Sequence, residues 1–137
     1  MVSATEKNVF LSYSLPDGHD AKIVRNALEN AGIVVFDPNR DAEPGSGLER
    51  SLHDAIAGSG AIVLIAPKDW KISANSLFEL GAAWEAEKDI YVVAEETAKV
   101  GAKVPEFIGQ QQIYPQSRLN DLARRLTVRP EPHQEKR

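Results

Sequence analysis

The stretch AIVLIA, Ala61–Ala66, is the clearest buried strand in the sequence. All of its residues are apolar, without the alternation of a half-exposed strand, and this pattern is typical of a strand covered on both faces. Shorter strand-like runs lie before and after it along the chain: NVFLSY (8–13), IVVF (33–36), IYVVA (90–94) and a brief edge strand at 112–114. The apolar pattern therefore predicts five strands.

Amphipathic stretches separate these runs. Residues 18–31 carry apolar side chains at helical spacing and precede Gly32, a residue type that commonly follows a helix. Further helices are predicted at about 48–58, from the mid-70s to about Lys88, within 97–109 in irregular form, and at 117–126. This alternation predicts an α/β fold, a flavodoxin-like three-layer sandwich whose parallel sheet has the strand order 2-1-3-4-5.

Length and composition limit the functions that the chain can have. The 137 residues suit one domain, predicted at residues 1–126, followed by a polar tail at 127–137 that we expect to be frayed. The formal net charge of −4 and the lack of a basic stripe argue against nucleic acid or a membrane surface as partner. No membrane-length apolar run or signal peptide is present, so we expect a cytoplasmic protein.

The composition also argues against a metal site. The chain has no cysteine, which excludes disulfides, thiolate catalysis and cysteine-ligated zinc. Its three histidines, His19, His53 and His133, are scattered without the spacing of metal ligands. We therefore expect no metal.

The predicted strand order places a candidate binding site. The order reverses between strands one and three, and ligands of open α/β sheets bind at such a point, beyond the carboxyl ends of the strands. Three segments converge there: residues 12–14, the loop after strand two, and residues 67–79. A phosphoacceptor or flavin site is a poor match, because the sequence offers SYS after strand one and APK after strand three. Glu79 is the carboxylate that falls at this point.

Several of these residues also have structural interpretations. Ser76 and Glu79 fit the Ser-x-x-Glu capping box, and spacing alone favours a cap over catalysis. Leu77, Leu80 and Trp84 share one helical stripe, which favours a core role for Trp84. Other roles stay open in the sequence: Tyr13 as core aromatic or ligand contact, Asp37 as turn former or substrate contact, and Ser46 as a helix cap.

The motifs together resemble a TIR domain, the Toll/interleukin-1 receptor family, in its bacterial form with a catalytic glutamate. Phe10, Ser12, Tyr13 and Ser14 resemble the family's first box, and Asp37 with the Pro44-Gly45 turn resembles its second strand and BB loop. The segment from Ser73 to Glu79, before an alanine-rich helix, resembles the family's glutamate motif. Asn75 departs from that motif, in which an aromatic residue usually precedes the glutamate by four positions.

The resemblance implies an NAD⁺ nucleosidase that cleaves the nicotinamide–ribose bond, in some members cyclising ADP-ribose into a signalling nucleotide for bacterial antiphage immunity. One carboxylate suffices for this chemistry, because nicotinamide leaves as a neutral molecule and needs no general acid. Glu79 is then the catalytic residue, NAD⁺ is a substrate, and no cofactor is expected. The substrate-binding residues implied are Ser12, Tyr13, Ser14, Phe36, Asp37, Gly45, Ser46, Trp70 and Asn75.

The same resemblance implies partners and leaves two alternatives. TIR domains self-associate, here through the BB loop at residues 43–47, and a separate sensor or effector protein is expected. The first alternative is a non-enzymatic TIR–TIR interaction module, which Asn75 favours. The second is an enzyme similar to nucleoside deoxyribosyltransferases, which also use a glutamate on N-glycosidic bonds.

Overall fold

Strands and helices alternate along the chain in the computed structural model, which describes residues 8–41, 54–67, 71–94 and 113–127. The strands are β1 (Asn8–Ser12), β2 (Val34–Phe36), β3 (Ala61–Ile65), β4 (Asp89–Ala94) and β5 (Ile113–Pro115). The helices are α1 (Gly18–Asn30), α2 (Pro38–Asp41), a helical turn at 54–57 that we label α3, α4 (Ala74–Glu85) and α5 (Leu119–Thr127).

All five strands pair in parallel in the order β2-β1-β3-β4-β5, which confirms the predicted sheet. Each strand lies within one residue of its predicted bounds. The predicted helix within 97–109, the BB loop and the tail beyond residue 127 lie outside the described residues, and the domain boundary at residue 126 stays a prediction. The order reverses beside β1, whose Ser12 is in register with Leu64 of β3.

Side-chain alternation divides the core into two layers, one on each face of the sheet. The first layer lies under α1 and α5 and includes Val9, Leu11 and Val63; Tyr13 packs against it. The second lies under α3 and α4 and includes Phe10, Leu64 and Leu80. Full burial of such side chains contributes about 1.5–3 kcal/mol each, so both faces hold the sheet in place.

The helix ends follow from local hydrogen bonding. Gly32 has φ 89°, a left-handed conformation that glycine adopts without strain, and its N–H donates to the carbonyl of Glu29 at the end of α1. Ser73 is the N-cap of α4, because its hydroxyl oxygen accepts the N–H of Ser76 at 3.1 Å. The alternative interpretation of Ser76 and Glu79 as a capping box is therefore wrong.

The outer face of α4 also differs from the prediction. Trp84 is 57 % exposed and Leu77 is 48 % exposed, whereas Leu80 is fully buried. The buried face of the helix instead consists of Ser76, Glu79, Leu80 and Ala83. The expected core role of Trp84 is wrong, because α4 packs on the sheet through this face, which leaves Trp84 on the outside.

Candidate active site

The end of β1 supplies two neighbouring polar side chains to opposite faces of the sheet. Ser12 follows Phe10 on the face covered by α4, and Tyr13 follows Leu11 on the face covered by α1. Successive side chains of a strand point to opposite faces, so this separation is a consequence of the strand itself. Four of the predicted site residues therefore form two clusters, one on each face: Ser12 with Glu79, and Tyr13 with Asp37.

The first cluster joins β1 to α4. The Ser12 hydroxyl donates a hydrogen bond to Oε1 of Glu79 at 2.7 Å. Ser12 is fully buried and Glu79 is 7 % exposed. Glu79 lies in the second turn of α4, beyond the backbone N–H groups that a cap could satisfy. The structure thus places the carboxylate at the carboxyl edge of the sheet, at the predicted switch point.

The electrostatic setting of Glu79 is unusual for a buried carboxylate. Burial raises the pKa of Glu79, and the hydrogen bond from Ser12 opposes that shift. Within the described part of the chain, no lysine or arginine forms an ion pair with it. Buried carboxylates are normally paired or neutralised, so this group is poised to interact with a cation or with a centre that develops positive charge.

The second cluster surrounds Asp37, which follows β2 and is 1 % exposed. Oδ2 of Asp37 accepts a hydrogen bond from Nη1 of Arg25 on α1 at 2.6 Å. Oδ1 accepts the Tyr13 hydroxyl at 2.7 Å and the N–H of Asn39 at 3.1 Å. The N–H of Asp37 donates in turn to Asp41 at 2.9 Å. This carboxylate is fully engaged by protein donors.

A family model for the TIR domain matches residues 9–123. The chain belongs to the TIR domain family. The observed strand order is consistent with the fold of that family.

Solved structures agree with this assignment at the level of fold. The TIR domain of the Toll-related receptor TRR-2 from Hydra magnipapillata is similar with a TM-score of 0.66 and 20% identity, over 85% of this chain and 91% of that one. The TIR domains of the activated Roq1 resistosome are similar with a TM-score of 0.58 and 21% identity, over 88% of this chain and 72% of that one. The CMP N-glycosidase BcmB from Clostridium botulinum is similar with a TM-score of 0.59 and 18% identity, over 88% of this chain and 100% of that one. The chain matches no curated protein sequence.

The remaining predicted site residues of the TIR domain are distributed unevenly. Phe36 lies on the Glu79 face and stacks on Phe10, with ring centroids 5.5 Å apart. Asn75 is exposed in the first turn of α4, and Ser14 precedes the 3-10 turn at Leu15–Asp17. Gly45, Ser46 and Trp70 lie outside the described residues. The structure therefore brings Ser12 and Glu79 together, and separately Tyr13 and Asp37.

Sequence reasoning missed Arg25 as the partner of Asp37. Arg25 lies four residues after Ala21 and three before Leu28, both of which are buried on the inner face of α1. A cation within a buried helical stripe requires a partner, so this spacing was the signal. The identity of the partner depends on how α1 packs against β2, which local pattern does not define.

A cleft of about 460 Å³ lies beside β2, away from Glu79. Phe36, Arg40, Ala55 and Ser59 are among its lining residues. Two of its polar side chains bond to other protein groups: Arg40 to Asp41 and the Val35 carbonyl, and Ser59 to the Ala55 carbonyl. Arg40 and Ser59 are thus engaged by the protein, whereas Glu79 has no ion-pairing cation among the described residues, so we assign the candidate active site of this TIR domain to Glu79.

Two negative findings apply to the described residues. They contain no group of three or more histidine, aspartate or glutamate side chains arranged to hold a metal ion. None of the helices observed in them has both the length and the apolar composition to cross a membrane.

Proposed function

We propose that this TIR domain cleaves the nicotinamide–ribose bond of NAD⁺, with Glu79 as the catalytic residue. The observation that carries the proposal is the buried Glu79 carboxylate at the sheet's switch point, held by one hydroxyl and without an ion-pairing cation among the described residues. Positive charge develops on the ribose ring as nicotinamide leaves. A carboxylate in a poorly solvated site stabilises that charge more strongly than it does in water.

The chemistry requires little else from the protein. Nicotinamide departs as a neutral pyridine, so the leaving group needs no proton and a second carboxylate is unnecessary. The one other buried carboxylate at this edge of the described sheet, Asp37, is on the opposite face and engaged by Arg25 and Tyr13. Water then adds to the ribose to give ADP-ribose, or an internal nucleophile closes a cyclic product of the kind used in antiphage signalling.

Similarity to a CMP N-glycosidase supports the bond class, since that protein is named for cleavage of an N-glycosidic bond. Similarity to TIR domains in a resistosome supports activity in an assembled state. We therefore propose that the isolated chain is weakly active and that self-association raises its activity.

The second candidate function is a non-enzymatic interaction module. Exposed large apolar side chains on the outer face of α4, Leu77, Phe78 and Trp84, favour it, because such side chains commonly mark binding surfaces. On this alternative Glu79 makes no contribution to any reaction.

The deciding experiment measures nicotinamide release from NAD⁺ by chromatography. The purified chain is assayed at high concentration, with and without a crowding agent that promotes assembly. We expect Glu79→Gln to lower release by about 100-fold, the scale seen when one preorganised electrostatic group is removed. Glu85→Gln is the matched control, because Glu85 is an exposed carboxylate on the same helix, and it should leave the rate unchanged.

Parallel incubations with CMP and with deoxynucleosides distinguish the alternatives. Release of a nucleobase in place of nicotinamide would assign the protein to nucleoside chemistry. Nicotinamide release that survives Glu79→Gln would remove Glu79 from the mechanism. An absence of all three reactions in every assembly condition would favour the interaction module.

A further inference from the structure

The hydrogen bond between Ser12 and Glu79 spans two elements that are fixed independently. Ser12 ends β1, and its backbone is in register with β3. Glu79 lies on α4, which is anchored by the Ser73 cap and by buried Leu80 and Ala83. The 2.7 Å bond therefore joins a strand paired within the sheet to a helix packed on it, and it sets the position of one carboxylate oxygen.

Burial defines what Ser12 can contact. Its exposed fraction is zero, so a ligand that enters the site cannot reach its hydroxyl. A direct substrate contact, as the family resemblance implies for this residue, is therefore not the role that the geometry favours. Any influence of Ser12 on a reaction passes through Glu79.

The two oxygens of the Glu79 carboxylate differ in their hydrogen bonding. Oε1 accepts the bond from Ser12, whereas within the described residues Oε2 accepts no hydrogen bond. Rotation of the carboxylate would exchange the two oxygens only by breaking the Ser12 bond. Oε1 therefore stays bonded to the end of β1, and Oε2 has no donor among the described residues.

We propose that Ser12 is a positioning residue, whose hydroxyl holds Oε1 of Glu79 and thereby presents Oε2 to the ribose of the bound nucleotide. This inference rests on the proposed NAD⁺ cleavage for its ligand, whereas the tether itself is independent of the substrate.

The same bond affects ionisation. Burial is the larger influence and raises the pKa of Glu79, and the Ser12 bond lowers it because a hydroxyl donor favours the charged form. No ionised side chain of the described residues contributes to this shift. The charged pair at this end of the sheet, Asp37 and Arg25, is on the opposite face. Ser12 thus extends the pH range in which Glu79 is ionised.

The first test follows the carboxyl carbon of Glu79 by ¹³C NMR during a pH titration, with the signal assigned by its loss in Glu79→Gln. We expect Ser12→Ala to move the Glu79 midpoint to higher pH, and Ser12→Thr, which keeps the hydroxyl, to restore it. Ser12→Cys keeps the size of the side chain with a weaker donor and gives the same upward shift if the alanine variant does not fold.

Ser59→Ala is the matched control. Ser59 is also buried, and its hydroxyl donates to the Ala55 carbonyl rather than to a carboxylate. Loss of this hydroxyl should leave the Glu79 titration unchanged. An unchanged midpoint in both Ser12→Ala and Ser12→Cys would overturn the proposal.

The second test measures nicotinamide release by the same variants. We expect Ser12→Ala to lower kcat about tenfold with a smaller change in KM, because it leaves the binding surface intact while freeing the carboxylate. The acidic limb of the pH–rate profile should move to higher pH. A wild-type rate in Ser12→Ala would refute positioning even if the NMR midpoint moves. If wild-type protein releases no nicotinamide but the midpoint moves, the proposed function fails while the tether stands.

Discussion

Two nearly buried carboxylates lie at the same edge of the sheet, on opposite faces, and their surroundings are opposite. Asp37 accepts hydrogen bonds from Arg25, Tyr13 and the backbone of Asn39. Glu79 accepts one from Ser12, and within the described residues it has no ion-pairing cation. Both groups are buried carboxylates, so they differ in how far protein donors and cations offset the buried charge.

That difference indicates different roles. A buried charge that is fully paired contributes to the architecture, because its removal leaves partners that nothing else satisfies. A buried charge with one neutral donor destabilises the fold slightly and is retained where it is useful. We infer that the Asp37 cluster holds α1, β1 and α2 together, whereas Glu79 is available for chemistry.

The largest expected effect is on the Asp37 cluster. Asp37→Asn keeps the shape of the side chain and its ability to cap α2, but it removes the charge that pairs with Arg25. Nε of Arg25 is already buried without a hydrogen-bonding partner among the described residues, so the guanidinium has little other compensation. We expect the free energy of unfolding, measured with urea, to fall by about 3 kcal/mol.

The control for this variant is Asp121→Asn. Asp121 also binds two arginines, Arg118 and Arg124, but at the surface of α5. Water replaces such a pair readily, so we expect little change in stability. A similar loss of unfolding free energy in both variants would mean that the buried pair of Asp37 and Arg25 stabilises the protein no more than a surface pair does.

Tyr13→Phe separates the two roles that the sequence leaves open for this residue. Burial raises the pKa of Tyr13, and its bond to Asp37 raises it further, so the phenol stays a neutral donor at pH 7. Loss of one bond to a charged acceptor should lower the free energy of unfolding by about 1.5 kcal/mol, with nicotinamide release nearly unchanged. A large rise in KM at unchanged stability would instead make Tyr13 a substrate contact.

The smallest expected effect is a gain in stability relative to wild type, and it depends on pH. The folded-state pKa of Glu79 is raised above its ordinary value of 4.5, so the folded chain binds the proton more tightly than the unfolded chain. Below pH 4.5 Glu79 is protonated in both the folded and the unfolded state, so no charge is buried. As pH rises, the cost of burying the ionised carboxylate grows, and it is complete above the folded-state pKa of Glu79. Glu79→Gln should therefore become more stable relative to wild type as pH rises through the folded-state pKa of Glu79.

Urea unfolding of wild type and Glu79→Gln at a series of pH values measures this trend. Glu85→Gln, which alters an exposed carboxylate of the same helix, should show no comparable trend. A difference between Glu79→Gln and wild type that stays constant with pH would show that Glu79 is not desolvated.

Much of the fold could be predicted from the sequence, because it depends on local pattern. Apolar runs such as Ala61–Ile65 are buried on both faces, and their alternation with amphipathic stretches defines a parallel sheet. Chain order and handedness then restrict the topology to a few arrangements. The position of Glu79 at the switch point follows from that topology.

The details of the site could not be predicted from the sequence, because they depend on which residues of each helix face the sheet. Ser73 and Ser76 are both acceptable caps in sequence, and the choice between them decides where α4 begins. The packing of α4 against the sheet, which its periodicity does not specify, decides that Glu79 is buried and that Trp84 is exposed. The pairing of Arg25 with Asp37 depends likewise on how α1 packs, which periodicity does not specify.

The alternation of Ser12 and Tyr13 has a consequence for how this protein tolerates change in length. One peptide bond separates the donor that serves Glu79 from the donor that serves Asp37. Inserting or deleting a single residue within β1 would exchange the two faces, placing a phenol under α4 and a small hydroxyl beside Arg25. Both carboxylates would lose their donors together, so a change in the length of this strand is far more damaging than most changes in its composition.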